Sequence, residues 1–225
     1  MLKAIILDIE GTVSPISFVK DVLFPYSREK MKDFIKNSKD NPEVKKILEE
    51  VKEIEKKELS EDEIIEILIK WIDEDKKIAP LKEIQGMIWK EGFENGELKA
   101  PLYEDAYEKM KTWKDKYNLY IYSSGSVQAQ KLFFSHTTHG NILNWFKDFF
   151  DTRIGNKKEN QSYKNILSQI GFKPDEVVFL SDNPDEIKAA ADAGLNVIKV
   201  SRPEDVEWIE GFPFKQIKSF KEIQF

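Results

Sequence analysis

The sequence predicts an α/β fold: a mostly parallel sheet with helices on both faces, interrupted after its first strand by an all-helical insert. Three observations carry this expectation. Short, continuously apolar runs end in polar clusters at Asp8, at Ser123 and at Ser181-Asp182. Helical stretches separate those runs, and a densely charged helical block stands between the first run and the rest. Strands covered by helices on both faces read as continuous apolar runs, because neither face meets water.

The first strand lies within Lys3 to Ile9, where Ala4-Ile5-Ile6-Leu7 leads into Asp8, and Glu10 to Pro15 follow as a loop. The composition then changes. Asn41-Pro42 reads as an N-cap and first-turn pair, with Val44, Ile47, Leu48 and Val51 recurring at helical spacing. Ser60 and Glu63 form a capping box ahead of Ile64, Ile67, Leu68 and Trp71. The many Lys/Glu pairs of this block read as a solvated face. The division expected is a core of residues 1–15 and 100–225 and a helical insert of residues 16–99.

Within the core, Tyr103 to Lys116 carries Ala106, Met110 and Trp113 on one helical stripe. Asn118 to Tyr122 is the second strand, closed by Ser123-Ser124-Gly125-Ser126. The aromatic residues Phe133, Phe134, Trp145, Phe146, Phe149 and Phe150 read as core packing. Asn160 to Ile170 is a helix with Gly171 as its C-terminal cap. Val177 to Leu180 is a strand ending in Ser181-Asp182-Asn183-Pro184, and Pro184 to Ala193 is an alanine-rich helix. Asn196 to Val200 is a further strand. Ligands of such sheets bind at the carboxyl ends of the strands, so Asp8, Ser123 and Asp182 are expected to converge.

Composition removes several classes of function. The 225 residues carry no cysteine and two histidines, His136 and His139, which excludes thiolate chemistry and argues against a multi-histidine zinc site. Both histidines read as surface or loop residues. The net charge of −6, with both signs interspersed, gives no basic stripe for nucleic acid. No apolar run approaches the roughly 20 residues of a membrane span, so neither a membrane nor a nucleic acid is expected as partner, and a cytoplasmic location follows by default.

The polar clusters point to phosphate chemistry. A carboxylate at the end of a buried strand costs desolvation energy unless a cation or several donors compensate. Asp8 as a nucleophile beside Mg²⁺ meets that condition, and Glu10 could protonate a leaving oxygen and then activate water. Ser123, Ser124 and Gly125, at a helix start, offer hydroxyls and N–H groups to a phosphate. A lysine of Asn156-Lys157-Lys158 could pair with the phosphate and with the nucleophile, and spacing alone does not choose between Lys157 and Lys158. Asp182 adds a hard oxygen ligand of the kind Mg²⁺ prefers, and Asp185 or Glu186 could orient it or a metal-bound water.

In order and type these clusters resemble the four motifs of the haloacid dehalogenase-like phosphatases. That resemblance implies a Rossmannoid core with an inserted helical cap, and one Mg²⁺ ion held by the Asp8 carboxylate, the Glu10 backbone carbonyl and Asp182. The superfamily usually has Asp where this chain has Glu10. Asp8 to Lys20, Tyr122 to Val127 with Ala129 to Phe134, and Gln85-Gly86 through Gly92, Gly96 and Lys99 resemble the bifunctional enolase-phosphatases of methionine salvage, the acireductone synthases. On that resemblance Lys157 is the site lysine, Ser123, Ser124 and Lys157 contact substrate, and Thr12, Gly125, Asp185, Glu186 and Lys99 support the site. The reaction it implies takes a small phosphorylated diketone, 2,3-diketo-5-methylthiopentyl-1-phosphate. The enzyme enolises it, with Glu10 or a cap residue as the base, and then removes the phosphate. The cap would close over the crevice. The resemblance, together with the absence of an obvious exposed apolar helix, implies a monomer. Near the C-terminus this family often carries Arg-Pro-Gly-Asn, where this chain has Arg202-Pro203-Glu204-Asp205, outside the four motifs.

Overall fold

The computed structural model describes residues 1–225, which divide into a unit of residues 1–16 and 99–225 and a second unit of residues 17–98. Each boundary falls one residue from the expected one.

The first unit is built on strands β1 (Ala4–Leu7), β2 (Asn118–Tyr122), β3 (Phe146–Phe150), β4 (Val177–Ser181), β5 (Asn196–Val200) and β6 (Gln216–Ile217). All pairs are parallel, in the order β3-β2-β1-β4-β5-β6. Every residue of β1 and β4 is buried, as the continuous apolar runs require of strands covered on both faces. One face packs Ala4, Ile6, Tyr120, Tyr122, Val177 and Phe179 against α7 (Asn160–Ile170) and α8 (Pro184–Asp192). The other face presents Ile5, Leu7, Leu119, Ile121, Val178 and Leu180, which are buried too. Helices α5 (Glu104–Trp113) and α6 (Val127–Ser135) complete the unit.

Two strands go beyond the expected set. β3 falls in the aromatic stretch read only as core packing, and its Lys147 and Asp148 are exposed because β3 is an edge strand. β6 has only two residues, too few for a periodic signal.

The second unit is all helical. A π-helical segment, Phe18–Leu23, runs into α1 (Phe24–Asn37), followed by α2 (Pro42–Glu55), α3 (Glu61–Asp73) and α4 (Ala79–Glu94). Asn41 caps α2 through the Glu43 N–H at 2.9 Å. The capping box of α3 is complete: the Glu63 N–H donates to Ser60 Oγ, and the Ser60 N–H donates to Glu63 Oε2. Met31, Ile35, Ile47, Val51, Ile64, Leu68, Trp71 and Ile84 form its core. Gly92 is required by packing, since a Cβ there would lie 2.7 Å from the Tyr26 ring.

Candidate active site

The parallel register decides what meets what. Leu7 lies level with Ile121 on one side and Leu180 on the other, so the residues after β1, β2 and β4 emerge at one carboxyl edge of the sheet. Backbone hydrogen bonds extend that alignment past the strands: the Asp8 N–H donates to Leu180 O at 3.0 Å, and the Ser123 N–H to Phe150 O at 3.1 Å.

Asp8 is 5% exposed and is held by side chains from two distant segments. Lys157 Nζ donates to its Oδ1 at 2.6 Å, and Ser181 Oγ lies 3.3 Å from its Oδ2. The same ammonium lies 3.0 Å from Glu186 Oε2, which Ser181 Oγ also reaches at 2.7 Å. Burial alone would lower the Lys157 pKa, but the flanking carboxylates of Asp8 and Glu186 outweigh it and hold the amine firmly protonated. The backbone around Lys157 is fixed by two phenols, Tyr163 donating to Lys157 O at 2.5 Å and Tyr122 to Gly155 O at 2.8 Å. Gly155 has φ +141°, and a Cβ there would meet Ser162 Oγ at 2.2 Å. Lys158, by contrast, is exposed and pairs with Asp185 at 3.3 Å. Burial thus separates the two lysines that spacing left equivalent.

The turn after Asp8 is tightly wound. Ile9 O accepts from the N–H groups of Thr12, Val13 and Ser14, and the Gly11 N–H donates to Ser14 O. Gly11 has φ +73° and stands against Asp182, whose Oδ2 would lie 2.6 Å from a Cβ at that position. Here only glycine allows the two loops to approach. Burial, followed by the nearby charges of Asp8 and Glu186, pushes the Asp182 carboxyl up to about 8. Glu186 is raised as well, by burial first and by Asp8 next, with Lys157 opposing.

Three carboxylates therefore crowd around one ammonium, and the cluster lacks positive charge. No group of three or more His, Cys, Asp or Glu side chains is arranged as a metal cage. The hard oxygens of Asp8 and Asp182, brought together by the Gly11 approach, nevertheless fit a divalent cation that completes its shell with a carbonyl and waters.

The serine loop is organised from behind. Gln130 is 2% exposed, and its Nε2 donates to Gly125 O at 2.8 Å and Phe150 O at 2.9 Å, and reaches Ser123 O at 3.4 Å. Two of the loop's carbonyls, Ser123 O and Gly125 O, are thus engaged by one buried amide. Ser126 caps α6 by accepting from the Ala129 N–H at 3.1 Å, and Asp151 accepts from the Val127 N–H at 3.0 Å. Ser123 is buried, whereas Ser124 and Gly125 are exposed.

Among the candidate residues, Asp8, Lys157, Asp182 and Glu186 thus meet in one cluster. Glu10 and Thr12 lie on the turn, Glu10 exposed and Thr12 fully buried. Glu186, expected to orient Asp182 or a metal-bound water, reaches Lys157 and Ser181, and its charge is felt by Asp182. Asp185 points outward to Lys158, and Lys99 is exposed at the unit boundary. His136 and His139 stand apart, His139 stacked on Tyr107 and 3.0 Å from Glu104. Sequence reasoning missed Ser181, Gln130 and Arg202. The signal for Gln130 was present, an amide one turn into the helix after a serine loop, but its three acceptors are visible only in the fold.

Arg202 was set aside as lying outside the motifs, yet it is 5% exposed and grips the turn that follows Asp8. Its Nε and Nη2 donate to Thr12 O at 3.2 and 2.8 Å, and its Nη1 pairs with Asp105 at 2.6 Å.

Comparison with known proteins identifies the family. A family profile described as haloacid dehalogenase-like hydrolase matches residues 2–194. The enolase-phosphatase E1 of Persephonella marina is 60% identical over 99% of both chains, and that of Aquifex aeolicus is 56% identical over the whole of both. The crystal structure of the UTR4 protein of Saccharomyces cerevisiae, 37% identical, superposes with a TM-score of 0.85, covering 99% of this chain and 100% of that one. A buried aspartate–lysine–carboxylate cluster at the edge of a parallel sheet, in a chain this close to such relatives, makes it a phosphatase of the haloacid dehalogenase-like hydrolases, and the chain belongs within them to the enolase-phosphatase E1 family.

Proposed function

We propose that this chain, acting as a monomer in methionine salvage, converts 2,3-diketo-5-methylthiopentyl-1-phosphate to 1,2-dihydroxy-3-keto-5-methylthiopentene and phosphate. The observation that carries the reading is Lys157, buried between Asp8 and Glu186 with Asp182 alongside: an excess of carboxylate at the point where a cation and a phosphoryl group would supply and spread charge. The name shared by the relatives, enolase-phosphatase, states both halves of the reaction for those proteins.

One Mg²⁺ ion, held by the Asp8 carboxylate, the Glu10 carbonyl and Asp182, would neutralise phosphoryl oxygens and polarise the diketone. The protein's own groups carry the remaining steps. After the substrate is enolised, an Asp8 oxygen attacks phosphorus, forming an aspartyl phosphate while the bond to the ester oxygen breaks. Glu10 gives that leaving oxygen its proton. Water then attacks the same phosphorus and loses a proton to Glu10, and the Asp8 carboxylate is restored as phosphate departs. Lys157 holds Asp8 in place and compensates the charge gathering on the phosphoryl oxygens, while Ser123, Ser124 and the loop N–H groups bind them.

The test follows enol absorbance and free phosphate in parallel, with and without Mg²⁺, alongside an Asp8→Asn variant. Both products appearing only with the metal, and neither phosphate nor final product from the folded variant, is the expected result. Phosphate without any enol would reduce the reading to a phosphatase of another ester. Turnover by Asp8→Asn would remove Asp8 as nucleophile.

A further inference from the structure

The turn that carries Glu10 is not held by the same groups that hold Asp8. Asp8 is fixed by Lys157, Ser181 and the carbonyl of Leu180. The turn is fixed from the loop after β5 and, beyond Thr12, from the segment before α5, where Ser14 Oγ donates to Pro101 O at 2.7 Å and the Tyr103 N–H to Val13 O at 2.9 Å. Arg202 donates twice to Thr12 O, and its guanidinium lies 4.0 Å from the centre of the Tyr103 ring and 4.9 Å from that of Phe220. Asp105 secures its far end, and the same carboxylate oxygen accepts from Ser219 Oγ at 2.6 Å and the Phe220 N–H at 2.8 Å. Three residues on, Asp205 accepts from the Ile16 N–H at 3.3 Å and from the Tyr103 hydroxyl. The segment Arg202-Pro203-Glu204-Asp205 therefore grips the Ile9–Ile16 stretch at its middle, through Thr12, and at its Ile16 end.

We propose that Arg202 is a positioning residue for the acid/base step: by clamping Thr12 O it sets where the Glu10 turn stands relative to an independently anchored Asp8. This rests on the reading of Glu10 as the group that protonates the leaving oxygen and activates water. The clamp needs the planar fork of arginine, since one face of the guanidinium edge serves Thr12 and the other Asp105 at the same time. A lysine reaches either acceptor but not both in that geometry.

The test is Arg202→Lys, with Asp105→Asn as a second variant that keeps the arginine but frees its far end. Two quantities are measured with Mg²⁺ present: kcat for phosphate release from the diketone phosphate, and the affinity for orthovanadate, a phosphoryl mimic that needs Asp8, Lys157 and the serine loop but no proton transfer. Misplacing a catalytic group by about 1 Å costs about 10²-fold, so kcat is expected to fall by that order in Arg202→Lys while vanadate affinity stays within about twofold. Asp105→Asn is expected to show the same split with a smaller loss. Turnover within about threefold of the unmodified chain, or kcat and vanadate affinity falling together in both variants, would overturn the positioning role alone, since either leaves nothing specific to the proton-transfer step. An unmodified chain that binds vanadate but releases no phosphate from any ester would instead overturn the phosphatase reading, and the positioning role with it.

Discussion

Replacing Lys157 with methionine keeps most of the side chain's length and removes its charge. At 2.6 Å from Asp8 and 3.0 Å from Glu186, the ammonium gains a gross attraction of about 6 kcal/mol to each at an effective dielectric of about 20. Most of that is offset by desolvating the ammonium, and breaking a buried pair typically costs about 3–5 kcal/mol net. For a chain of 225 residues this corresponds to a drop in Tm of roughly 10 °C. The cost depends on pH, and the sign follows from the neighbours. Glu186 and Asp182 already sit above the usual carboxylate range, and loss of the cation raises them further. Groups whose pKa is higher folded than unfolded make the native state the better proton binder, so stability falls as pH rises. The deficit of Lys157→Met is therefore expected to be smaller near pH 5 than near pH 9, growing as pH rises past about 8 where Asp182 ionises first in the unmodified chain, measured by urea unfolding with a chelator present. Phosphate release should fall by about 10² or more, as when an oxyanion donor is removed. A stability deficit that does not change between these pH values, or turnover near that of the unmodified chain, would refute the view of Lys157 as the charge that compensates Asp8 and Glu186.

Other substitutions probe the supports. Gly11→Ala places a Cβ against Asp182 at a left-handed position; about 1–2 kcal/mol of stability and most of the phosphate release are expected to be lost, read by thermal unfolding and a phosphate assay. Gln130→Glu turns a donor into an acceptor facing Gly125 O and Phe150 O, and should destabilise the protein by about 3 kcal/mol in denaturant titration. For Asp105, burial pushes its carboxyl up, but Arg202, Ser219 and Phe220 N–H outweigh it and hold the pKa below the usual range. A depressed pKa stabilises above the unfolded value, so the advantage of the unmodified chain over Asp105→Asn should be full at neutral pH and shrink on acidification through the depressed pKa. An advantage unchanged down to acid pH would contradict that assignment.

The fold class and the strands β1, β2 and β4 were legible because burial on both faces writes itself as an apolar run ending in polar residues, and β5 was legible although Lys199 interrupts its run. β3 was not, since an edge strand with exposed Lys147 and Asp148 breaks the run and leaves only aromatics behind. The residues of the candidate cluster stood out because charge at a strand end is expensive unless something answers it. The answering groups were harder to read. Ser181 looks like an ordinary loop serine, and Glu186 like a helix-dipole acid, until Lys157 is seen between them. Arg202 was noted only within a C-terminal segment outside the motifs, and its part could not be read because the turn acceptor it serves is a backbone carbonyl 190 residues away, and backbone acceptors carry no sequence signature.

The place of β1 in the sheet also constrains when the protein can first act. This strand lies between β2 and β4, so Ile5 must find Leu119 on one side and Val178 on the other. During synthesis Asp8 is made before either neighbour of its strand, and both neighbours, with the lysine that holds it, arrive only after the entire helical unit has been made. Pairings this distant along the chain form late and slowly. A nascent chain lacking β4 has no completed cradle for Asp8, so hydrolytic competence should emerge abruptly once β4 has been made rather than grow with chain length.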